Sequence, residues 1–279
     1  MKAALIVPLQ DPTPFSPLSP EAGLRANLRK AKEAGFDGVE LALTAPERLS
    51  PREREELHRA LEETGLEVVA LTTGQAYGLE GISLTEEDEE LRRRALARLK
   101  AHLRFVKEEL EPARTVVIIG LLRGRRGDEQ ARRWLREALA ELADFEPEAR
   151  LALEPLNRYE TSLINRVGEA LALLQELDRE NLGLLFDTFH ANIEERSLHE
   201  SIVKAGGKIF HVHFADSNRR PPGWGHLDFA EVARALCMIG YGYGDRGYIS
   251  LEALCQDEPG PEACLKAAEF IHRLECGAG

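Results

Sequence analysis

Eight short apolar runs, each followed by a pattern typical of a helix, constrain the fold of this chain more than any other feature. Apolar runs bounded by turn-forming residues are typical of strands buried on both faces of a parallel sheet. Eight consecutive strand-then-helix units predict an α/β protein, a closed (β/α)8 or TIM barrel, as one domain over residues 1–279. The runs occupy residues 3–7, 38–43, 68–72, 115–119, 151–155, 182–187, 208–214 and 248–254.

Helix-start signals agree with this alternation. Pro20 is predicted to open the first helix and Pro51 the second, because proline is favoured in the first turn. Ser83 or Thr85 is predicted to cap the long third helix.

Four of the predicted strands carry a metal-capable side chain at or near the carboxyl end: Glu154, Asp187, His213 and Glu252. In a barrel of this type all carboxyl ends open at one mouth, where active sites lie. Each residue alone has an ordinary explanation, as a helix cap, an ion-pair partner or a core histidine. Together, however, they would repel each other or be left desolvated without a cation. The sequence therefore predicts a divalent metal site, with Mn²⁺, Mg²⁺, Co²⁺ or catalytic Zn²⁺ as candidates.

Other polar residues follow the same strands. His190 and Arg219 carry N–H donors that suit a sugar hydroxyl or a developing oxyanion. Gln75, in a glycine-containing loop after the third strand, is predicted to hydrogen-bond a substrate hydroxyl. Strand alternation places His211 on the same side as His213, which makes it an interior or supporting residue.

Two loops at the predicted mouth have unusual composition. The loop after the fourth strand holds Arg123, Arg125 and Arg126, whose planar guanidinium groups suit a carboxylate or phosphate. A solvated basic loop is an equally good interpretation. The loop after the first strand, residues 8–20, contains five prolines and is either a stiff flap or a rigid surface loop.

Composition excludes several classes of protein. The chain has 36 Lys and Arg against 48 Asp and Glu, and its net charge of −12 disfavours nucleic acid as a partner. No apolar run approaches the length of a membrane span, and we expect a cytoplasmic protein. The four cysteines lack metal-site spacing and are expected to be small core residues rather than a disulfide framework. They are Cys237, Cys255, Cys264 and Cys276.

Three segments, residues 154–161, 187–195 and 211–223, resemble the xylose-isomerase-like sugar isomerase/epimerase superfamily, particularly its ketose 3-epimerase branch. Residues 73–77 with 81–85, and residues 116–126, resemble a subgroup that includes keto-gluconate (uronate) epimerases. The likeness covers nearly the whole chain. Two positions depart from it, Ala191 and the glycine-rich segment 240–247.

The resemblance implies a carbohydrate epimerase that inverts a carbon next to a ketone through an enediolate. It implies that Glu154 and Glu252 are both metal ligands and the acid/base pair. Glu160, His190 and Arg219 match the substrate-contacting residues. The expected cofactor is a divalent metal, Mn²⁺ first, the expected partner is a ketose or keto-uronate, and a homo-oligomer, dimer or tetramer, is expected.

Three other functions stay open at this point. An aldose–ketose isomerase, similar to hydroxypyruvate or xylose isomerase, would use the same enediolate. An endonuclease IV-like AP endonuclease would need more histidines and a basic DNA-binding surface, which this sequence lacks. A non-catalytic sugar-binding barrel would tolerate the loss of either glutamate. Within the epimerases, the arginine loop predicts a preference for a six-carbon keto-acid over a neutral ketose, with Arg123 as a substrate contact.

Overall fold

The computed structural model describes residues 1–242, 247–256 and 258–274. Eight parallel strands form a closed barrel in sequence order, which confirms the predicted α/β TIM-barrel fold. Residues 243–246, in the glycine-rich segment noted above, lie outside the described residues. The strands are β1 (Lys2–Pro8), β2 (Gly38–Ala42), β3 (Glu67–Thr72), β4 (Val116–Ile119), β5 (Arg150–Leu153), β6 (Leu182–Asp187), β7 (Ile209–Phe214) and β8 (Tyr248–Leu251).

Every predicted apolar run contains a strand, and the bounds differ by only a few residues. The largest difference is at β8, which ends at Leu251. The Leu254 N–H donates to the carbonyl of Arg219 (2.8 Å) in the loop after β7. The chain therefore turns across the barrel mouth instead of extending the sheet.

The helices surround the barrel. They are α1 (Leu24–Glu33), α2 (Pro51–Thr64), α3 (Gln75–Glu80), α4 (Glu89–Glu109), α5 (Glu129–Phe145), α6 (Val167–Leu177), α7 (Thr188–Glu194), α8 (Leu198–Ala205), α9 (Phe229–Met238), α10 (Pro261–Leu265) and α11 (Ala267–His272).

Two of the predicted helix starts need correction. Pro20 opens a short 3-10 turn, Pro20–Ala22, before α1. The cap of the long helix α4 is Asp88, which accepts a hydrogen bond from the Glu90 N–H (2.8 Å), and not Ser83 or Thr85. Pro51 opens α2 as predicted.

Two apolar layers hold the fold together. Outward-facing strand residues such as Val117, Leu153 and Phe214 pack against the helices. A smaller cluster, which includes Ile118 and Ala152, alternates with them and fills the inside of the barrel. The barrel is therefore a packed core, and the mouth above it is where a ligand can bind.

The expectation that the cysteines form no disulfide is wrong, and none of the described cysteines is free. Cys255 and Cys264 form a disulfide with a Cα–Cα distance of 6.0 Å. The loop after β8 and helix α10 bring these residues together, a proximity that their spacing in the sequence does not indicate. Cys276 lies outside the described residues. Within the described part of the chain, no helix is long and apolar enough to cross a membrane.

Candidate metal centre and active-site pocket

Four ionisable side chains meet at the barrel mouth, each delivered by a different strand. Glu154 follows β5, Asp187 ends β6, His213 lies in β7 and Glu252 follows β8. One ligand atom from each lies within 4.8 Å of the others, and all four residues are buried. The four residues selected from the sequence are therefore one cluster.

Three atoms of this cluster are buried and find no hydrogen-bond partner among the described residues: Glu154 Oε1, Asp187 Oδ2 and His213 Nδ1. The imidazole nitrogen lies 3.8 Å from each of these two oxygens and 3.7 Å from Glu252 Oε2. Buried polar atoms are normally paired, so convergent unpaired acceptors indicate a missing positive partner. Oxygen and imidazole donors in this arrangement fit a divalent cation.

Asp187 divides its two oxygens between the backbone and the cluster. Its Oδ1 accepts a hydrogen bond from the His190 N–H (2.9 Å) and so caps the N-terminus of α7. This contact fixes the carboxylate and directs Oδ2 toward His213. The helix cap and the cluster are therefore complementary functions of one side chain.

Burial and mutual repulsion separate the titration of the carboxylates. Burial, with the Glu252 charge, raises the pKa of Glu154 well above its ordinary value and that of Asp187 to about 7. At Glu252, burial alone would raise the pKa, but His213 and Arg219 outweigh it and lower it to about 2. The pKa values of two glutamates in one pocket are thus shifted in opposite directions, a pattern typical of an acid/base pair.

His213 has a second partner that the sequence analysis missed. Its Nε2 lies 2.9 Å from Oε2 of Glu40, a fully buried residue on β2 across the barrel. Burial opposes ionisation of Glu40, but His213 and His211 hold its pKa well below the ordinary value. The signal in the sequence was a single glutamate inside a buried apolar strand.

His190 presents one nitrogen to the pocket. Its Nδ1 lies 2.8 Å from Nδ2 of Asn157 and 3.3 Å from the Asn157 backbone N–H, so we assign Nδ1 as the acceptor and Nε2 as the protonated nitrogen. Burial lowers the pKa of His190 well below its ordinary value, and the ring is neutral. Its buried Nε2 has no partner among the described residues and is a donor available to a ligand.

Arg219 links Glu252 of the cluster to Glu160, another acidic residue of the pocket. It donates to Glu160 Oε1 (2.7 Å) and Glu252 Oε2 (3.0 Å). Its guanidinium lies between the rings of Phe15 and Phe189, at 4.5 and 4.8 Å from their centroids. Such stacking holds a guanidinium in one plane, so Arg219 keeps Glu252 ionised and oriented.

A pocket of about 390 Å³ lies over the cluster and is lined by Glu154, Glu160, His190, Arg219 and Glu252. A larger groove of about 540 Å³, between α5 and α6, contains none of the cluster residues. We place the active site in the smaller pocket, because the cluster residues Glu154 and Glu252, with their shifted pKa values, meet His190, Arg219 and an apolar wall there.

The loop after β1 forms the apolar wall of this pocket, with Pro12, Pro14 and Phe15. It is pinned to the barrel at several points. Thr44 Oγ1 donates to Asp11 Oδ2 (2.6 Å), and the Pro14 carbonyl accepts from the backbone N–H of Cys255 (2.9 Å). The loop is therefore a fixed wall in this structure.

Gln75 lies in the same wall, but its amide is already engaged. Its Nε2 donates to the carbonyls of Asp11 and Pro12, both at 3.0 Å. The structure therefore places Gln75 at the pocket as a support for the loop after β1. A substrate hydrogen bond from it would have to replace one of these contacts.

The first residues of the arginine loop, Gly120 and Leu121, line the pocket, but Arg123, Arg125 and Arg126 are not among the lining residues. Arg123 is fully buried and donates to the backbone carbonyls of Glu154 and Ile164, which corrects its predicted contact with substrate. Arg126 pairs with Glu87 (2.7 Å) and Asp128 (2.8 Å). Sequence could not reveal this difference, because neighbouring loop residues follow the turn of the backbone and not a fixed period.

Arg125 is exposed and lies over the ring of Tyr77, with 5.6 Å between its guanidinium carbon and the ring centroid. Arg219 is the one arginine among the described residues that line the pocket. Its charge is already compensated by two carboxylates.

A family model described as a xylose isomerase-like TIM barrel matches residues 28–274. The chain belongs to this family. A ketose 3-epimerase from Arthrobacter globiformis is 33% identical over 233 residues, which cover 78% of this chain and 75% of that protein. A 3-dehydro-D-guloside 4-epimerase from Escherichia coli is 29% identical over 248 residues, covering 84% of this chain and 88% of that protein.

A solved structure of a carbohydrate epimerase shows a similar fold. A D-allulose 3-epimerase from Methylomonas sp., in complex with D-allulose, aligns with a TM-score of 0.79 and 25% identity, covering 98% of each chain. The resemblance drawn from the sequence segments is thus confirmed at the level of the family, and these relatives are carbohydrate epimerases.

Proposed function

We propose that this protein is a metal-dependent epimerase that inverts a carbon next to the ketone of a neutral ketose. The observation that carries this proposal is the pair of buried glutamates, Glu154 and Glu252, which enter one pocket from non-neighbouring strands. The names of the relatives from Arthrobacter globiformis and Escherichia coli support the same reaction class.

The proposed cation is held by Glu154, Asp187, His213 and Glu252, and Mn²⁺ is our first choice for its identity. A bound divalent cation would supply Lewis-acid stabilisation of the negative charge that develops on the ketone oxygen. The donor set supports this assignment, because three carboxylates and one imidazole suit a hard or borderline divalent ion.

The two glutamates exchange a proton with the substrate carbon. Glu252, kept ionised beside Arg219, removes the proton, and an enediolate forms. Glu154, which follows β5, delivers a proton to the other face of the carbon. In the reverse reaction the two residues exchange roles. Their strands, β5 and β8, are not neighbours in the barrel, so the two side chains enter the pocket from different sides.

The neighbouring residues orient the sugar. The Nε2–H of His190 is positioned to donate a hydrogen bond to a substrate oxygen. Glu160, beside Arg219, can accept one from a hydroxyl. The wall formed by Pro12, Pro14 and Phe15 covers one side and limits access of water to the enediolate.

A neutral substrate fits this pocket better than the keto-acid that the arginine loop suggested. The three arginines of that loop are buried, ion-paired or stacked on Tyr77 away from the pocket lining. Arg219 already neutralises part of the charge on Glu160 and Glu252. A substrate carboxylate would therefore add a negative charge to an acidic site in which the lining arginine, Arg219, is already paired with two carboxylates.

The test is a panel of neutral ketohexoses and ketopentoses against 5-keto-gluconate and related acids. We expect at least one neutral ketose to be converted with a kcat/KM about tenfold or more above every acid, since each 1.4 kcal/mol of lost pairing is a factor of ten. Arg125→Ala should change neither value more than twofold. Preference for an acid that Arg125→Ala abolishes would contradict the neutral assignment. The cytoplasmic location and the homo-oligomer stay predictions.

A further inference from the structure

A buried polar chain extends from the metal cluster into the barrel interior. Oε2 of Glu40 lies 2.9 Å from His213 Nε2 and 3.0 Å from His211 Nε2. His211 Nε2 is also 2.8 Å from the hydroxyl of Ser250. Glu40 and Ser250 are fully buried and His211 is nearly so. Glu40, His211 and Ser250 are not among the residues that line the pocket.

We propose that Glu40 is a positioning residue, which holds His213 in the Nε2–H tautomer so that its Nδ1 lone pair faces the cation. The inference rests on the proposed function only in that it requires a cation in the cluster.

The two nitrogens of His213 have opposite surroundings. Nε2 faces Glu40, while Nδ1 faces the oxygens of Glu154, Asp187 and Glu252 at 3.7–3.8 Å. Oε2 of Glu40 lies 2.9 Å from Nε2, the ordinary length at which a carboxylate oxygen accepts an N–H, so the proton of a neutral His213 lies on Nε2. The other nitrogen is then an electron-pair donor, as a metal ligand must be.

Glu40 is itself held in place by contacts inside the barrel. Its carboxylate reaches across the barrel from β2 to β7, and both histidines of β7 contact the same oxygen. Two imidazole contacts define the position of Oε2 more tightly than one would. His211, which also contacts Ser250, therefore helps to fix the position of Glu40. Glu40 in turn fixes the orientation of the His213 ring.

Glu40, His211 and His213 are also close enough to be considered a second cation site. We prefer the hydrogen-bonded interpretation because a single carboxylate oxygen contacts both nitrogens at 2.9–3.0 Å, the ordinary length of an N–H···O bond. The two interpretations predict different stoichiometries, one or two cations per chain.

The experiment compares wild type with Glu40→Gln, which keeps the shape but lets the amide either donate or accept. The matched control is Glu194→Gln, a buried glutamate that pairs with Arg158 outside the pocket. The probe is Mn²⁺, with free ion counted by electron paramagnetic resonance. We expect one Mn²⁺ per wild-type chain, a Kd raised about 10- to 100-fold in Glu40→Gln and a Kd within twofold of wild type in the control.

A second measurement needs no substitution. Long-range ¹H–¹⁵N correlation spectra of the Zn²⁺-loaded wild type should show His213 protonated on Nε2 and bound through Nδ1. An unchanged Kd in Glu40→Gln, two cations per wild-type chain, or the opposite tautomer would each overturn the proposal. Absence of any Mn²⁺ binding by wild type would remove the metal-dependent function as well. If wild type binds one Mn²⁺ and Glu40→Gln binds it with the same Kd, only the proposed role of Glu40 is excluded.

Discussion

Replacing either Glu154 or Glu252 by glutamine is expected to stop epimerisation while leaving a folded barrel. Glutamine keeps the shape of the side chain but cannot exchange a proton with carbon, and acid/base catalysis contributes about 10²- to 10⁴-fold. Each residue is also a proposed ligand, so the rates are compared at saturating Mn²⁺. We expect kcat to fall at least about a hundredfold in both variants, and the double variant to lose little more than either single one.

The two variants should differ in which substrate epimer still exchanges with solvent. With Glu252→Gln, the remaining Glu154 can remove the proton only from the epimer whose C–H bond faces it, and Glu154→Gln should show the opposite preference. Mass spectrometry of each epimer incubated in D₂O measures this. Glu194→Gln is the control and should keep its rate within twofold. Wild-type turnover in either pocket variant would remove that residue from the acid/base pair.

Removal of the cation is expected to have the second large effect. Chelation leaves Glu154, Asp187 and Glu252 converging without a positive partner beyond His213 and Arg219. A cation bound only by the folded state adds about 2.7 kcal/mol of stability when its concentration is 100 times its Kd. For a chain of this size, that corresponds to a fall in Tm of about 5 °C on chelation.

Calorimetry and activity assays after chelation, followed by return of Mn²⁺, Mg²⁺, Co²⁺ or Zn²⁺ one at a time, measure both effects and rank the metals. Asp187→Asn should show a much smaller Tm shift on metal addition, since one anionic ligand is lost. Full activity in protein shown by elemental analysis to hold less than about 0.1 metal per chain would exclude a metal-dependent mechanism.

The strands and the cluster were predictable because both depend on short-range rules. Apolar runs of the right length specify buried parallel strands, and their carboxyl ends must share one mouth. Glu154, Asp187, His213 and Glu252 could be selected for that reason alone, before any side-chain position was known. Closure of the barrel converts four separate positions in the sequence into one cluster.

The loops were less predictable, because their side chains follow no period. Arg123 and Arg125 are two residues apart, yet one is fully buried against backbone carbonyls and the other is exposed. Gln75 is at the pocket wall, but its amide holds another loop. Such contacts join residues dozens of positions apart, and propensity carries no information about them.

Glu40 and the Cys255–Cys264 disulfide illustrate a related difficulty. Glu40 is a lone acid in an apolar strand, and its partner His213 lies 173 residues further along the chain. The two cysteines are nine residues apart, a spacing without a structural signature, and meet because the chain turns after β8. In both cases the three-dimensional path determines the pairing.

The most direct test is to incubate the best neutral ketose with the Mn²⁺-loaded enzyme in D₂O. The metal is then chelated and the proton NMR spectrum of the sugars is recorded. We expect an epimeric ketose that carries deuterium at the inverted carbon next to the ketone, because the glutamate that protonates this carbon has exchanged its proton for a deuteron from the solvent. An aldose product that carries deuterium at the former ketone carbon, next to the new aldehyde, would identify an isomerase. Inversion without any deuterium in product or recovered substrate would contradict proton transfer through these two glutamates.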